Sequence, residues 1–170
     1  MEAHIKFAKL KEDAKIPSKR EEDAGLDIYA CFEQDYVVIP PHGTQMIPTG
    51  IASACDKDYA LVLRERGSTG SKGIALRAGV VDSGYRDEIF VALTNTTDAF
   101  MFISKLPEEN TYQDFWGRVM QASFCYPYEK AIAQALVVPV PKTTIEIVPY
   151  EDLKNIESER GIGALGSSGK

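Results

Sequence analysis

Histidine is scarce in this chain: His4 and His42 are the only two in 170 residues. His4 lies near the start and His42 sits in a Pro40-Pro41-His42-Gly43 turn, so a Ser-His-Asp or Cys-His catalyst is not supported. Cysteine is scarce too. Cys31, Cys55 and Cys125 are odd in number, far apart and without a CxxC pair. That pattern points to a reduced, cytoplasmic protein and argues against a zinc site. No apolar run is long enough to span a bilayer, and the first residues, with Glu2 and a short apolar stretch, do not read as a signal peptide. Positive charge is in deficit, with a net charge of −6. A general nucleic-acid binder needs a basic surface to release counterions, so that class is excluded. An anionic substrate would have to be held by local Arg and Lys clusters or by a metal ion. Long amphipathic helices are also missing; the best helical candidate is the short run Ser71–Arg77.

What is present is a series of short apolar runs. The chain is 44% hydrophobic and 26% charged, ordinary for a globular protein, and long enough for one domain with a core. Strands are expected at Ile5–Leu10, Tyr36–Ile39, Thr44–Ile51, Tyr59–Arg64, Lys130–Val140 and Thr143–Val148. Lys11–Glu22 is charged, is broken by Pro17 and reads as a loop. Many short strands with turn signals between them predict an all-β barrel or sandwich.

Gly79–Glu88 is the stretch around which the rest is organised. Val80 and Val81 run into Asp82, Ser83-Gly84 offers a turn, and Glu88–Asn95 alternates like a returning strand, which predicts a hairpin with a carboxylate at its tip. A ligand there would be read by backbone N–H and C=O groups, which suits a heterocycle with an imide edge. An Asp capping its own backbone in a type I turn is the plainer reading of these ten residues, and by themselves they favour it. Arg64–Gly73 gathers two arginines, a lysine, two serines, a threonine and three glycines in ten residues, a composition able to wrap an anion. The same loop could be surface polarity only; its nearness to Asp82 tilts toward an anion site. Asp27, between Leu26 and Ile28, faces the opposite side of a strand from both and could bond backbone amides or orient water on a metal. Gln134 is one polar residue inside an apolar strand and needs partners. Residues 96–130 concentrate aromatics and methionines and contain Trp116. Such a cluster serves a core, an oligomer contact or a base-stacking lid. The tail from Arg160 spells GxGxxG and nearly a P-loop, but both motifs need a strand before and a helix after, so neither reading survives.

Five blocks stand in order: Asp23-Ala-Gly-Leu-Asp27, Arg66-Gly-Ser-Thr-Gly70, Gly79-Val-Val-Asp-Ser-Gly-Tyr-Arg86, Ala131-Ile-Ala-Gln134 and Arg160-Gly-Ile-Gly-Ala-Leu-Gly-Ser-Ser-Gly169. Together they resemble the five motifs of the trimeric dUTP pyrophosphatases, over almost the whole chain outside residues 96–130. The resemblance implies a jelly-roll-like distorted β-barrel over residues 1–159, with an insertion at about 99–128, and a flexible phosphate-covering tail at 160–170. It implies a homotrimer with shared active sites that hydrolyses dUTP to dUMP and pyrophosphate, with Mg²⁺ on the triphosphate. By the same resemblance Asp82 activates the attacking water. Tyr85 packs beneath the deoxyribose, and the Gly79–Val81 backbone reads the base. Arg66, Gly67, Ser68, Thr69, Gln134, Arg160, Gly166, Ser167 and Ser168 hold phosphates, and Asp27 supports the metal through water.

The chain departs from the pattern at Gly67, where the family has Ser; at Ala131, where it has Arg; at Asp87, where it has Gly; and at Leu165, where an aromatic caps the base. Asp114-Phe-Trp116 resembles a segment of Gram-positive bacterial and phage enzymes whose stacking aromatic lies between motifs three and four, so Phe115 or Trp116 is expected to replace the missing ring. Two alternatives follow from the same residues. A dCTP deaminase would need a Glu in the strand after the Asp turn, and Ile89–Asn95 has no carboxylate. A regulatory trimer would use residues 99–128 to bind a protein partner.

Overall fold

Apolar runs of four to seven residues, each cut short by Gly, Pro or charge, are too short for stable helices and gain their stability by pairing. The computed structural model describes residues 2–116 and 122–158. It divides into two units, Met1–Val140 and Pro141–Lys170. In the first, the strands are β1 (Ile5–Lys9), β2 (Gly25–Ile28), β3 (Tyr36–Ile39), β4 (Thr44–Pro48), β5 (Ile51–Cys55), β6 (Tyr59–Arg64), β7 (Ile74–Arg77), β8 (Val80–Val81), β9 (Phe90–Asn95), β10 (Phe100–Ser104), β11 (Ser123–Pro127) and β12 (Ala133–Pro139). Among the described residues they form four sheets, ordered β1-β5, β11-β10-β3, β2-β12-β6-β8 and β4-β9-β7. Side chains from all four sheets enter one core that includes Ile28, Ile39, Ile47, Ile51, Leu61, Leu63, Ile74, Leu93 and Ile103. The expected all-β architecture is what the chain adopts. Among the described residues no helix is long and apolar enough to cross a membrane.

Several local expectations are corrected. Thr44–Ile51 is not one strand: the chain breaks after Pro48, where Gly50 takes φ 66°. A Cβ at Gly50 would lie 2.8 Å from both Ala14 Cβ and Cys31 Sγ, so only glycine lets the chain pass here. Ser71–Arg77 is not a helix. The helical turn, α1, falls earlier at Gly67–Gly70, and Ile74–Arg77 is β7, drawn into a ladder with β9. The expected Val80–Asn95 hairpin does not form as a pair: β8 bonds β6, with Leu61 opposite Val81, while β9 bonds β4 and β7. The loop between them therefore carries the chain from one sheet to another.

The segment between β10 and β11 was expected as an insertion, and it has a clear internal logic. These two strands pair in parallel, Phe100 opposite Ser123. Parallel neighbours cannot be joined by a tight turn and need a crossover, commonly a helix. Helix α2 (Glu108–Trp116) lies within that connection. It is tied to the sheet by a 2.7 Å bond between the Ser104 and Thr111 hydroxyls and by Tyr36 Oη donating to Asp114 at 2.6 Å.

In the second unit, the strand expected at Thr143–Val148 does not form: the run joins no ladder, and Ile145 and Ile147 are 86% and 95% exposed. A short helix, α3 (Tyr150–Lys154), follows.

Candidate active site

The sheet β2-β12-β6-β8 carries the candidate residues of four blocks. Asp27 on β2 lies opposite Gln134 on β12, and Gln134 lies opposite Arg64 at the end of β6, just before the Arg66 loop. Register alone thus brings the first, second and fourth motifs together. Arg66 Nε pairs with Asp27 Oδ1 at 3.0 Å, its Nη2 donates to Asp27 Oδ2 at 3.4 Å, and its Nη1 donates to the Ala131 carbonyl at 3.2 Å. Gln134 Nε2 donates to the Glu65 carbonyl at 2.8 Å. The Leu76 amide donates to Glu65 Oε1 at 2.9 Å and holds that carboxyl below the usual carboxylate range. Thr69 is buried; its hydroxyl accepts from the Arg66 amide at 3.1 Å and donates to the Arg66 carbonyl at 3.0 Å, locking the turn that presents Gly67 and Ser68.

These groups line a cleft of about 710 Å³ that includes Gly25, Asp27, Arg66, Gly67, Ser68 and Gln134. It is also lined by Ser18, Lys19, Arg20 and Asp23, of which the first three belong to the charged Lys11–Glu22 loop and Asp23 heads the first block. The Asp27 amide donates to the Ser18 carbonyl at 2.9 Å, which draws that loop against β2. The adjacent pair Lys19-Arg20, two cations close before the Asp23 block, was the signal available in the sequence.

A second, smaller pocket of about 190 Å³ lies off β8, lined by Leu63, Ala78, Val80, Val81, Asp82 and Tyr85 among others. Gly79 makes it possible. Its carbonyl accepts from the Leu63 amide at 2.7 Å, and a Cβ there would collide with the Leu63 carbonyl oxygen. Ala78, just before it, holds φ at 50°, a left-handed conformation uncommon for a residue with a Cβ. The Tyr85 amide donates to the Asp82 carbonyl at 3.1 Å, and Tyr85 Oη donates to the Glu88 carbonyl at 2.8 Å, which fixes the ring at the pocket rim. The Asp82 carboxylate is exposed and accepts no hydrogen bond from the described residues, so it is not the cap of its own turn. β2 and β8 are three strand spacings apart, about 14 Å.

Phe115 lines neither of these clefts. Its ring packs against Phe102, Tyr36 and Phe100, at centroid distances of 5.1, 6.1 and 6.3 Å. Arg160, Gly166, Ser167 and Ser168 lie outside the described residues, as does the side chain of Trp116.

The fold and the two clefts define an all-β protein with a cationic cleft at one side of a sheet and a backbone-built pocket at the other. A family model described as dUTPase matches residues 12–106. A deoxyuridine 5′-triphosphate nucleotidohydrolase of Nautilia profundicola is 32% identical over 170 residues, covering 98% of this chain and 99% of its own. The enzyme of the same name from Chromobacterium violaceum is 34% identical over 151 residues, covering 86% and 82%. Among solved structures, the dUTPase of Staphylococcus bacteriophage 80alpha with dUPNHPP superimposes with a TM-score of 0.75 at 22% identity, over 98% of this chain and 99% of that one. The chain belongs to the dUTPase family.

Proposed function

We propose that this protein hydrolyses dUTP to dUMP and pyrophosphate. The observation that carries this reading is Asp82: an exposed carboxylate that accepts no hydrogen bond from the described residues, beside Tyr85 in a pocket off β8, in a chain of the dUTPase family. Asp82 takes a proton from a water molecule as that water's oxygen bonds the α-phosphorus. The bond from the α-phosphorus to the α,β-bridging oxygen breaks, and pyrophosphate leaves. Val81 and Gly79 offer backbone groups to the uracil edge, and the anchored Tyr85 ring lies under the deoxyribose and excludes a 2′-hydroxyl. Ser68, the Gly67 amide, Gln134 and Arg66 face the phosphates, with Thr69 holding their turn. Residues 160–170 are read as the covering tail of a domain spanning 1–159, with Arg160, Gly166, Ser167 and Ser168 toward the polyphosphate.

Mg²⁺ fits this donor set as a guest of the substrate. Among the described residues no three His, Cys, Asp or Glu side chains form a metal cage, and Asp27 is held by Arg66. Mg²⁺ commonly binds through substrate phosphates with one or two carboxylates and several waters, and Asp27 would reach it through water. When bound, the ion offsets the triphosphate charge that a protein of net charge −6 would otherwise repel.

A homotrimer with shared sites is supported by two features. The base pocket off β8 and the phosphate cleft around Asp27, Arg66 and Gln134 are separate places on one sheet, so each suits completion by another copy. The alternating run Thr143–Val148 exposes Ile145 and Ile147, as a strand awaiting a partner edge would. Release of pyrophosphate from dUTP, dCTP, dTTP and UTP with Mg²⁺ tests the reading: selective turnover of dUTP supports it, and absence of turnover overturns it.

Phe115 or Trp116 is proposed as the base-stacking ring that Leu165 cannot supply, as in Gram-positive bacterial and phage enzymes. Replacing the stacking residue with Ala should weaken binding of a non-hydrolysable dUTP analogue about ten- to a hundredfold. Because Phe115 also packs on Phe102, its variant must keep the parent melting temperature for the result to count as stacking. If both variants bind like the parent, the idea fails. A second reading adds a protein partner at residues 99–128: the crossover helix α2 is an element set upon the sheet, and the 80alpha dUTPase is described as controlling transfer of virulence genes.

A further inference from the structure

We propose that Arg20 is a further substrate-binding residue, a releasable clamp for the outer phosphates of the nucleotide, kept ready by Asp23. The proposal rests on the dUTPase reading above and assigns a role to Arg20, which stands outside the five motifs, three residues before the first of them. Lys19, Arg20 and Asp23 line the same cleft as Arg66 and Asp27, so it holds three cations and two carboxylates.

The two Arg–Asp pairs differ in what they leave for a ligand. Arg66 is committed to its own protein: Nε and Nη2 meet Asp27, and Nη1 meets the Ala131 carbonyl. Its side chain is only 30% exposed. Moving it would strand the Asp27 carboxylate in a partly buried wall. Arg20 makes the tighter contact, with Nε to Asp23 Oδ2 at 2.8 Å and Nη2 to Oδ1 at 2.9 Å, yet its side chain is 88% exposed. At this exposure the guanidinium stays in water whichever anion it meets, so Arg20 can exchange Asp23 for a phosphate without burying an unpaired charge. The fork that grips the two oxygens of Asp23 is the geometry an arginine offers to two phosphate oxygens. Asp23 thus stands where phosphate oxygens would stand.

The loop itself need not move with the side chain. Lys19 Nζ donates to the carbonyls of Asp23, Arg20 and Glu21, at 2.7, 3.3 and 3.3 Å, and ties the turn together. The Asp27 amide on the Ser18 carbonyl fixes the turn to β2. Lys19 is therefore a staple, and Arg20 is the cation with a free choice of anion. Sharing the cleft that the proposed function gives to the polyphosphate, Arg20 addresses the β- and γ-phosphates and the pyrophosphate they become, and it has no part in the proton transfer.

The test compares the full chain with Arg20→Gln and Asp23→Asn. Steady-state kinetics of dUTP are read beside competition by dUMP and by inorganic tripolyphosphate, whose binding is also measured directly by calorimetry. Arg20→Gln should raise KM for dUTP and weaken tripolyphosphate binding about ten- to a hundredfold, the loss expected for a charge-assisted contact. Inhibition by dUMP and the melting temperature should stay at parent values. Asp23→Asn removes the competing anion and should tighten tripolyphosphate binding. The proposal is overturned if Arg20→Gln leaves KM and tripolyphosphate binding unchanged, or if dUMP weakens as much as dUTP, which would mark a structural role. A parent that fails to cleave dUTP defeats the reading of the reaction, while the calorimetric comparison still decides the role of Arg20.

Discussion

The cleft around Arg66 and the pocket beside Gly79 are two ways of building a binding surface. The cleft is made of side chains in charge pairs, Arg66 with Asp27 and Arg20 with Asp23, on a framework of strands held in register. The pocket is shaped by backbone contacts: Gly79 against Leu63, the left-handed Ala78, and a turn closed by Tyr85 on Asp82. The exposed Arg20–Asp23 pair can exchange partners, which suits a polyphosphate that must enter and leave, while the Arg66–Asp27 pair stays as fixed framework. Backbone groups cannot be exchanged at all, which suits discrimination of one base edge and one sugar. Asp82 lines the pocket, an exposed carboxylate on the turn that Tyr85 closes.

The largest expected effect removes the one reactive group. Asp82→Asn should lower kcat by about 10²- to 10⁴-fold, the usual contribution of a positioned general base. Binding of a non-hydrolysable dUTP analogue, read by calorimetry, should persist, because no described residue depends on that carboxylate for a hydrogen bond. Equal losses in binding and turnover would show that Asp82 shapes the pocket and does not activate water.

A smaller effect comes from filling the backbone pocket. In Gly79→Ala the new Cβ meets the Leu63 carbonyl oxygen, which cannot move without disturbing β6. Overpacking of this kind costs about 1–3 kcal/mol. Thermal melting should report the loss, and KM for dUTP should rise with it. Gly84→Ala is the control in the same loop, because its Cβ would meet nothing within 4 Å. If Gly84→Ala destabilises as much as Gly79→Ala, the pocket is not set by the contact with Leu63.

The two surfaces were unequally legible in the sequence. Asp27 and Gln134 stood out because a strand alternates its side chains and leaves a lone polar residue conspicuous among apolar ones, Arg66 stood out in a Gly- and Ser-rich loop, and the family resemblance joined the three. Arg20 did not, since a charged residue in a charged loop has no pattern to stand out from. Only the bond from Asp27 to Ser18 shows which way that loop folds. The Gly79 turn was legible as a turn, but its partner was not. β8 has two residues, and its pairing with β6 is decided by where Gly79 lets two backbones approach. Ser71–Arg77 misled for a related reason: local composition allowed a helix, while a ladder beside β9 was available only in three dimensions. The parallel pairing of β10 with β11 has no local signature, so the crossover through α2 read simply as extra length.

The smallest effect tests whether the cleft, and not the pocket, depends on charge. Glu65 braces the cleft from behind, accepting from the Leu76 amide while its carbonyl holds Gln134. The Leu76 hydrogen bond lowers its carboxyl pKa, so the folded state releases this proton more readily than the unfolded chain. The stability this group adds is therefore complete above the ordinary carboxylate range, and it fades as pH falls through that range toward the depressed folded value. Glu65→Gln keeps an acceptor for Leu76 and removes only the charge. It should cost about 1 kcal/mol at neutral pH, or about 2–4 °C in melting temperature for a chain of this size. The cost should shrink toward zero as the parent is acidified, because the parent loses the same charge. Melting curves of both proteins between neutral pH and the acid limb check this. A gap that stays constant with pH would mean that the brace acts by shape alone, and the contrast between a charge-built cleft and a backbone-built pocket would fail at Glu65.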